Sequence, residues 1–520
     1  MLSQSLAGGS EPQTKKRLIY ISGLLAAAAL VLRFMVMMKM PLLPEEAYYW
    51  MYSQHMALSY FDHPPMVAWA IRLGTWLLGN TELGVRIIGC AMMLGASGAI
   101  YRFSRIWFDR STALISALAI QILPAYFVMG GLGLTDEALL FFWALGLWLG
   151  SVALQRGNWW IWTAFGIACG GAMLSKYTGI FLPLGIFIAI WMCADFRKHL
   201  RAPGPYVAAL AALICFSPVL VWNAQHAWAS FWFQGVERFE KAEFGWRFIW
   251  RFIFCQVVIG TPFIFIVLPA ITRKAWRQSQ PRWAIAWAFS MPILLVMAAR
   301  CFRYEVHVNW TLPAYLSLIP AGLYWWKAYA LKKFNGERLL TYSLSYGVGI
   351  CAIINVIGCL FVLSTARGGS ALTGIEPWSQ VAVFVEKYED QLEDQTHREP
   401  LVVAGGTYRL ASELGFYRVP LETLVPSSHY TTSAWFIEGD GLAFQYWTNR
   451  NAWHGRDCVY IGEGAVPTRW LTPYFDSVQV VPEVMLLNGA NYHLAICKGY
   501  HSKAEPLVRS NEMLRGSLPD

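Results

Sequence analysis

The sequence predicts an α-helical protein that crosses a membrane about eleven times, with interfacial helices beside the spans and a small soluble α/β domain at its C-terminal end. Of its 520 residues 56% are apolar and only 14% charged, whereas soluble domains average about 45–50% and about 25%. Apolar runs near the ~20 residues that a hydrocarbon layer requires recur from the first residues to about position 365. After Thr365 the composition returns to that of an ordinary globular domain. Surplus apolar surface of this kind needs lipid as its solvent.

The runs fall near 18–38, 83–101, 112–131, 137–155, 159–175, 178–194, 205–223, 250–271, 283–300, 308–326 and 339–365. Lys15, Lys16 and Arg17 precede the first, which lacks a small-residue cleavage site and is expected to stay as an anchor. Between 155 and 178 only Arg156, Gly157, Ser175 and Lys176 interrupt a long apolar region. The amphipathic stretch Pro64 to Gly79 is short for a span and fits a helix lying along the interface.

Lys and Arg collect in alternate loops. Short cytoplasmic loops are enriched in these residues, so the N-terminus is expected inside the cell. The inner groups are then Lys15 to Arg17; Arg102, Arg105 and Arg110; Arg156; Arg197, Lys198 and Arg201; Arg273, Lys274, Arg277 and Arg282; and Lys327, Lys332, Lys333 and Arg338. The expected organisation is a disordered N-terminus over 1–14, a transmembrane domain over 15–366 with outer loops 39–82 and 224–249, a soluble outer domain over 367–500, and a disordered tail over 501–520. Strand-like Leu401 to Ala404 and Ser477 to Val481, with helix-like Trp378 to Glu393, make the outer domain α/β.

The net charge of +9 does not require a nucleic-acid partner, because the basic residues are dispersed through short loops and form no single face. Membrane lipids are the expected surroundings. Of the ten cysteines, Cys90, Cys169, Cys193, Cys215, Cys255, Cys301, Cys351 and Cys359 lie in or beside apolar runs and read as small apolar fillers. Cys458 and Cys497 lie in the polar C-terminal part, where an oxidising compartment would allow them to pair, a proximity that sequence leaves open.

Candidate chemistry gathers at the expected outer face. The first outer loop reads Pro44-Glu45-Glu46-Ala47-Tyr48-Tyr49-Trp50 and then Tyr60-Phe61-Asp62-His63-Pro64-Pro65; Thr135-Asp136-Glu137 runs straight into an apolar span. Read alone, the first loop is an interfacial aromatic girdle with solvated charges. Taken with the second acidic group, its acids converge on one face, which is what glycosyl transfer uses. Lys176, in Ser175-Lys176-Tyr177-Thr178, departs from the positive-inside tendency. A phosphate-bearing ligand would account for it, as would snorkelling to headgroups. Arg33, Arg300 and Arg303 invite the same pair of readings. A further cluster runs Trp222-Asn223-Ala224-Gln225-His226-Ala227-Trp228 and continues through Gln234, Glu237 and Arg238. By ligand type His226 could hold a divalent metal with Asp62 or His63; a hydrogen-bonded interfacial histidine is the simpler reading.

In their order these segments resemble the polytopic glycosyltransferases that use lipid-phosphate sugars, including protein O-mannosyltransferases and the aminoarabinose transferase of lipid A. The resemblance covers most of 40–320 and, more loosely, the outer domain. Glu45 to Trp50 is similar to the family's acidic first-loop motif, Tyr60 to Pro65 to its acidic-basic-Pro-Pro segment, Thr135-Asp136 to its second acidic position, and Ser175-Lys176-Tyr177 to its phosphate-side lysine. Trp222 to His226, Val308-Asn309-Trp310 and Tyr408-Arg409-Leu410-Ala411-Ser412-Glu413-Leu414 match further family segments, the last with no chemistry assigned. Two departures matter: Glu45 stands where the family usually has Asp, and His63 where many relatives have Lys.

The resemblance implies a GT-C type fold, and a bacterial inner membrane is the expected home. It also implies a polyprenyl-phosphate sugar donor and a lipid (lipid A-like) or glycan acceptor on the periplasmic side. Glu45, Asp136 and Glu46 become the catalytic candidates, and Lys176, Tyr177, Tyr48, Tyr49, His63, Arg303 and Asn309 the substrate-binding candidates. Asp62 and His226 are the metal candidates. Glu45, Asp136 and Lys176 are expected to share one pocket. Rival readings are a transporter or flippase, which would place ionisable groups near the bilayer midplane and show related halves, and a non-catalytic assembly subunit.

Overall fold

The computed structural model describes residues 11–236, 244–260, 264–277, 280–334, 337–365, 377–418, 432–433, 441–448, 450–487 and 489–501. Glu237, Arg238 and most of the two ends expected to be disordered lie outside these residues. Within those ends, residues 11–14 already belong to the first helix, Glu11–Lys39, and the His501 N–H donates to the Tyr474 carbonyl. The chain divides into two compact units, Met1–Met40 with Met56–Ser364 and Pro41–His55 with Thr365–Asp520. Residues 41–55, expected within the first outer loop of the membrane domain, thus group with the C-terminal unit.

The first unit is helical, and helix occupies each expected apolar run. Among the described residues five helices are long and apolar enough to cross a membrane, or up to seven if two bent pairs are each counted as one span. The five are Glu82–Trp107, Asp136–Arg156, Gly204–Gln225, Pro281–Arg300 and Tyr346–Ser364. Other expected spans are shorter or broken. The run 112–131 divides into Arg110–Ile122 and Pro124–Met129 at Leu123, whose backbone is extended (ψ 128°); the residue before a proline is driven out of the helical region. The run 178–194 begins with a 3-10 turn, Tyr177–Ile180, ahead of Phe181–Met192. The interfacial helix is present as Met66–Leu78, burying Val67, Ala68 and Ile71 and exposing Leu73, Trp76 and Leu77.

The break at Leu123 frees carbonyl groups that an apolar interior must satisfy. Arg33 answers one of them and one at the end of the short helix that follows: its Nη2 donates to the Gln121 carbonyl at 3.2 Å and its Nε to the Phe127 carbonyl at 3.1 Å, while Nη1 reaches Gln121 Oε1 at 2.8 Å. The Asn355 amide donates to the Ile122 carbonyl at 2.7 Å. Arg33 is therefore an internal cross-link, which corrects its reading as a phosphate-binding or snorkelling residue. Arg86, also fully buried, donates to the carbonyls of Met37 and Met40 (3.1 and 2.7 Å) and so closes the open C-terminal end of the first helix.

Close approach between helices rests on small residues. Trp159–Ser175 carries Gly166 and Gly170 one turn apart against Gly204–Gln225, and a methyl added to Gly166 would stand 2.2 Å from the Ala208 carbonyl oxygen. Such small-xxx-small spacing lets backbones pack where no hydrophobic drive separates helix from lipid.

In the second unit the helices Pro44–Gln54 and Tyr408–Arg418 pack together, with Trp50 edge-on to Phe416 at 5.2 Å and Gly415 against Met51. The Tyr417 hydroxyl accepts from the Leu42 N–H at 2.9 Å, and the Tyr48 hydroxyl from the Ala443 N–H at 2.9 Å. The sheet comprises β1 (Leu401–Ala404), β2 (Thr432–Ser433), β3 (Cys458–Glu463), β4 (Phe475–Leu487) and β5 (Ala490–Tyr500), in the order β2-β1-β3-β5-β4. β1 runs parallel to β2 and β3; β5 runs antiparallel to β3 and β4. The helix Trp378–Thr396 presents Glu386 and Glu389 to the buried guanidinium of Arg418. The C-terminal α/β character expected from composition is present.

Gly166→Ala should lower stability by about 1–3 kcal/mol, the usual effect of overpacking. Gly98→Ala should be neutral or slightly stabilising, since nothing lies within 4 Å of the added methyl. Thermal unfolding of the two variants in one detergent tests the contrast.

Candidate active site

Asp136 opens the helix Asp136–Arg156, where the exposed peptide N–H groups of a helix start favour a carboxylate. Lys176 closes the helix Trp159–Ser175 with an extended backbone (φ −158°, ψ 144°). The turn that follows is tight because Gly179 rests on the Ala172 backbone, where a methyl would stand 2.3 Å from the carbonyl carbon. Asn309 lies in the 3-10 turn Val308–Thr311 that leads into Leu312–Phe334.

These three helix ends meet. Lys176 Nζ donates to both Asp136 oxygens, at 2.9 and 3.1 Å, and Asn309 Nδ2 donates to Asp136 Oδ2 at 2.7 Å. The Lys176 side chain is 13% exposed and that of Asp136 3%, so the pair is little screened by water. An ammonium has three N–H donors; one can still meet a ligand. The lysine and the aspartate, expected to act on separate parts of a substrate, form one hydrogen-bonded unit. Beside it, Glu137 is buried and accepts from the Leu134 N–H at 3.0 Å, tying the turn ahead of its helix.

A second cluster in the same unit joins the Tyr60-to-Pro65 segment to the end of Gly204–Gln225. Ser230 Oγ donates to the Tyr60 carbonyl at 2.8 Å, Gln234 Nε2 donates to the Asp62 carbonyl at 2.5 Å, and the Ser230 N–H donates to Asn223 Oδ1 at 3.1 Å. The Tyr177 ring packs edge-on to Phe231 at 5.6 Å. His63 Nε2 lies 3.7 Å from Asp62 Oδ2.

Among the described residues no group of three His, Cys, Asp or Glu side chains is placed to hold an ion. His226 Nδ1 is 2.7 Å from the Trp222 carbonyl, and its ring stacks on Trp222 at 3.9 Å. A carbonyl only accepts, so that nitrogen carries the proton. Asp62 and His226 belong to no such group among the described residues.

Arg300 lies over the rings of Trp310 and Tyr304, with centroid distances of 5.1 and 5.0 Å, beside the turn that carries Asn309. Arg303 is exposed.

Glu45 belongs to the C-terminal unit, where Arg409 Nη2 lies 3.5 Å from its carboxylate. Its side chain is 41% exposed. Glu46 is fully buried and accepts from the Leu43 N–H at 2.9 Å, in the position of a helix-capping group. Tyr48 and Tyr49 are buried, and Tyr48 packs on Tyr408 (4.5 Å) and Tyr52 (4.9 Å). Arg409 is the functional candidate that sequence reasoning did not assign. The Tyr408-to-Leu414 pattern marked its segment, but only the fold brings it to Glu45.

Residues 62–222 match the family model described as dolichyl-phosphate-mannose-protein mannosyltransferase. The chain is 26% identical over 276 residues to the lipid A galacturonosyltransferase RgtD of Rhizobium johnstonii, covering 52% of this chain and 58% of that protein. It is 25% identical over 269 residues to the undecaprenyl phosphate-alpha-4-amino-4-deoxy-L-arabinose arabinosyl transferase of Erwinia tasmaniensis, covering 48% of each. It spans about half the length of these curated relatives. The crystal structure of ArnT from Cupriavidus metallidurans bound to undecaprenyl phosphate superposes with a TM-score of 0.59 at 18% identity, over 91% of this chain and 97% of that one. The apo form gives 0.61 at 17% identity. The fold is therefore the GT-C type.

Asp136→Ala should cost about 3–5 kcal/mol, because it leaves a buried ammonium without its partner. Asp136→Ala with Lys176→Met should recover most of that loss. Thermal unfolding of the single and double variants reads both values.

Proposed function

We propose that the chain is a membrane glycosyltransferase that moves a sugar from a polyprenyl-phosphate donor to a lipid A-like or other envelope acceptor on the periplasmic side of a bacterial inner membrane. The Asp136–Lys176–Asn309 unit carries this reading: a cation held by a carboxylate that an amide fixes in turn, where three helical segments end. Such a lysine can meet a phosphate without being free to wander. The fold shared with a transferase crystallised with undecaprenyl phosphate supports it, and so do the names of the sequence relatives. The dispersed basic loops favour a cytoplasmic N-terminus and an outer C-terminal domain.

In the proposed reaction the donor lipid enters from the membrane and its phosphate meets the Lys176 ammonium, with Arg300 as a further cation and Asn309 holding Asp136 in place. An acceptor hydroxyl attacks C1 of the sugar as the bond from C1 to the phosphate oxygen breaks. The pair of electrons leaves with polyprenyl phosphate, and the anomeric centre inverts. The hydroxyl proton passes to Glu45, the general base. Glu45 suits that role better than Glu46 because its carboxylate is partly exposed and answered by Arg409, whereas Glu46 is spent on a backbone N–H. An acceptor that attacks through an ionised phosphate needs no base, and Glu45 then positions it. A transporter is the weaker alternative, since the buried Arg33 is engaged by carbonyls and an amide in the interior.

Purified protein should consume a radiolabelled polyprenyl-phosphate sugar in the presence of membrane extract; a folded preparation that consumes none would sink the assignment. Lys176→Met should raise the donor KM and lower kcat. Glu45→Gln, folded and donor-binding, should lose about 10²–10⁴ in kcat with a hydroxyl acceptor. Wild-type turnover by that variant would remove Glu45 as the base.

A further inference from the structure

Two cysteines of the C-terminal unit play no part in the proposed chemistry, and the sheet sets them face to face. Cys458 on β3 is the register partner of Cys497 on β5. Both side chains are fully buried in one cluster with Leu401, Tyr460 and Tyr500. Directly opposed residues of an antiparallel pair send their side chains to the same face.

The kind of pair follows from the hydrogen bonds on the other side of β3. The Leu401 N–H donates to the Asp457 carbonyl at 2.8 Å and the Gly405 N–H to the Ile461 carbonyl at 2.7 Å. Odd-numbered peptide groups of β3 therefore face β1, and even-numbered ones face β5. The Gly464 N–H, which donates to the Asn491 carbonyl at 2.8 Å, obeys the same alternation. Cys458 and Cys497 thus form a hydrogen-bonded pair, for which the Cα atoms stand about 5.5 Å apart. Disulfides span Cα separations of about 4.4–6.8 Å. Gly455 (φ 74°) and Gly499 (φ 64°) flank the pair in the left-handed backbone region. The other cysteines lie in the first unit.

We propose that Cys458 and Cys497 are joined by a disulfide that clasps β3 to β5 in the mature protein. The inference rests on the outer, oxidising placement of this domain given under Proposed function. Oxidation removes two electrons and two protons from the thiols. One thiolate attacks the disulfide of a protein oxidant to give a mixed disulfide, the second thiolate displaces it, and the oxidant leaves as a dithiol. Burial pushes the Cys458 thiol well above its ordinary value, and the thiolate is the reacting form. The bond therefore forms while the strands are still pairing, and once formed it is shielded from exchange.

The full-length protein, extracted without reductant and acid-trapped, is alkylated in denaturant before and after dithiothreitol and its peptides are mapped by mass spectrometry. Cys458 and Cys497 should be modified only after reduction, and the unreduced digest should hold their two peptides as one linked species. Modification of both before reduction overturns the proposal. A Ser477→Cys variant exposed to a membrane-impermeant maleimide on spheroplasts separates the two ways of failing. If Ser477→Cys labels while the native thiols are free, the clasp is wrong and the outer placement stands; if it does not label, both fall. Reductant in denaturing washout should speed later proteolysis of the outer domain at least about tenfold in wild type and leave Cys458→Ala/Cys497→Ala unchanged; equal rates in wild type with and without reductant would also overturn it.

Discussion

A charge or an open peptide group inside an apolar protein persists only where another group answers it, and this requirement organises the first unit. Arg33 and Asn355 answer the carbonyls released where the helix breaks at Leu123, Arg86 answers the end of the first helix, and Lys176 and Asn309 answer Asp136. Each pairing joins segments far apart in the chain. Helices whose apolar surfaces would slide on one another are thereby held at particular points, with glycines such as Gly166 setting how closely they approach. The first two pairings differ from the third in what they consume. Arg33 spends three nitrogens on protein acceptors, whereas Lys176 keeps a donor beyond its carboxylate.

Groups that look alike in sequence differ in the same way in how the fold engages them. Glu45 and Glu46 are neighbours, yet one accepts a backbone N–H at a helix start and the other is half-exposed toward an arginine. Asp136 and Glu137 divide in the same way: Glu137 ties the turn before its helix, and Asp136 gathers the lysine and the asparagine.

The two units use different devices for the same end. In the first, buried polar groups such as Arg33, Arg86 and the Asp136–Lys176 pair cross-link helical segments. In the second, an ordinary sheet with a parallel half and an antiparallel half carries the core, and the buried ion pairs of Arg418 brace the helix Trp378–Thr396. Its helix Pro44–Gln54 comes from the other end of the sequence, so the unit cannot be complete until most of the chain has been made.

The sequence by itself determined the helical class, the place of the apolar runs, the interfacial helix at Met66–Leu78 and the α/β character of the C-terminal part. These follow from composition and periodicity over neighbouring residues, which lipid and water read locally. It also marked Asp136, Lys176 and Asn309 as residues of interest. Only the tertiary structure decided that they form one unit, that Arg33 cross-links helices, that Asp62 and His226 join no metal-holding group among the described residues, that residues 41–55 group with the C-terminal unit, and that Cys458 faces Cys497. Those outcomes depend on which distant segments close upon one another. Closure is set by packing shape and strand register summed over the whole fold, and a window of neighbouring residues carries no record of it.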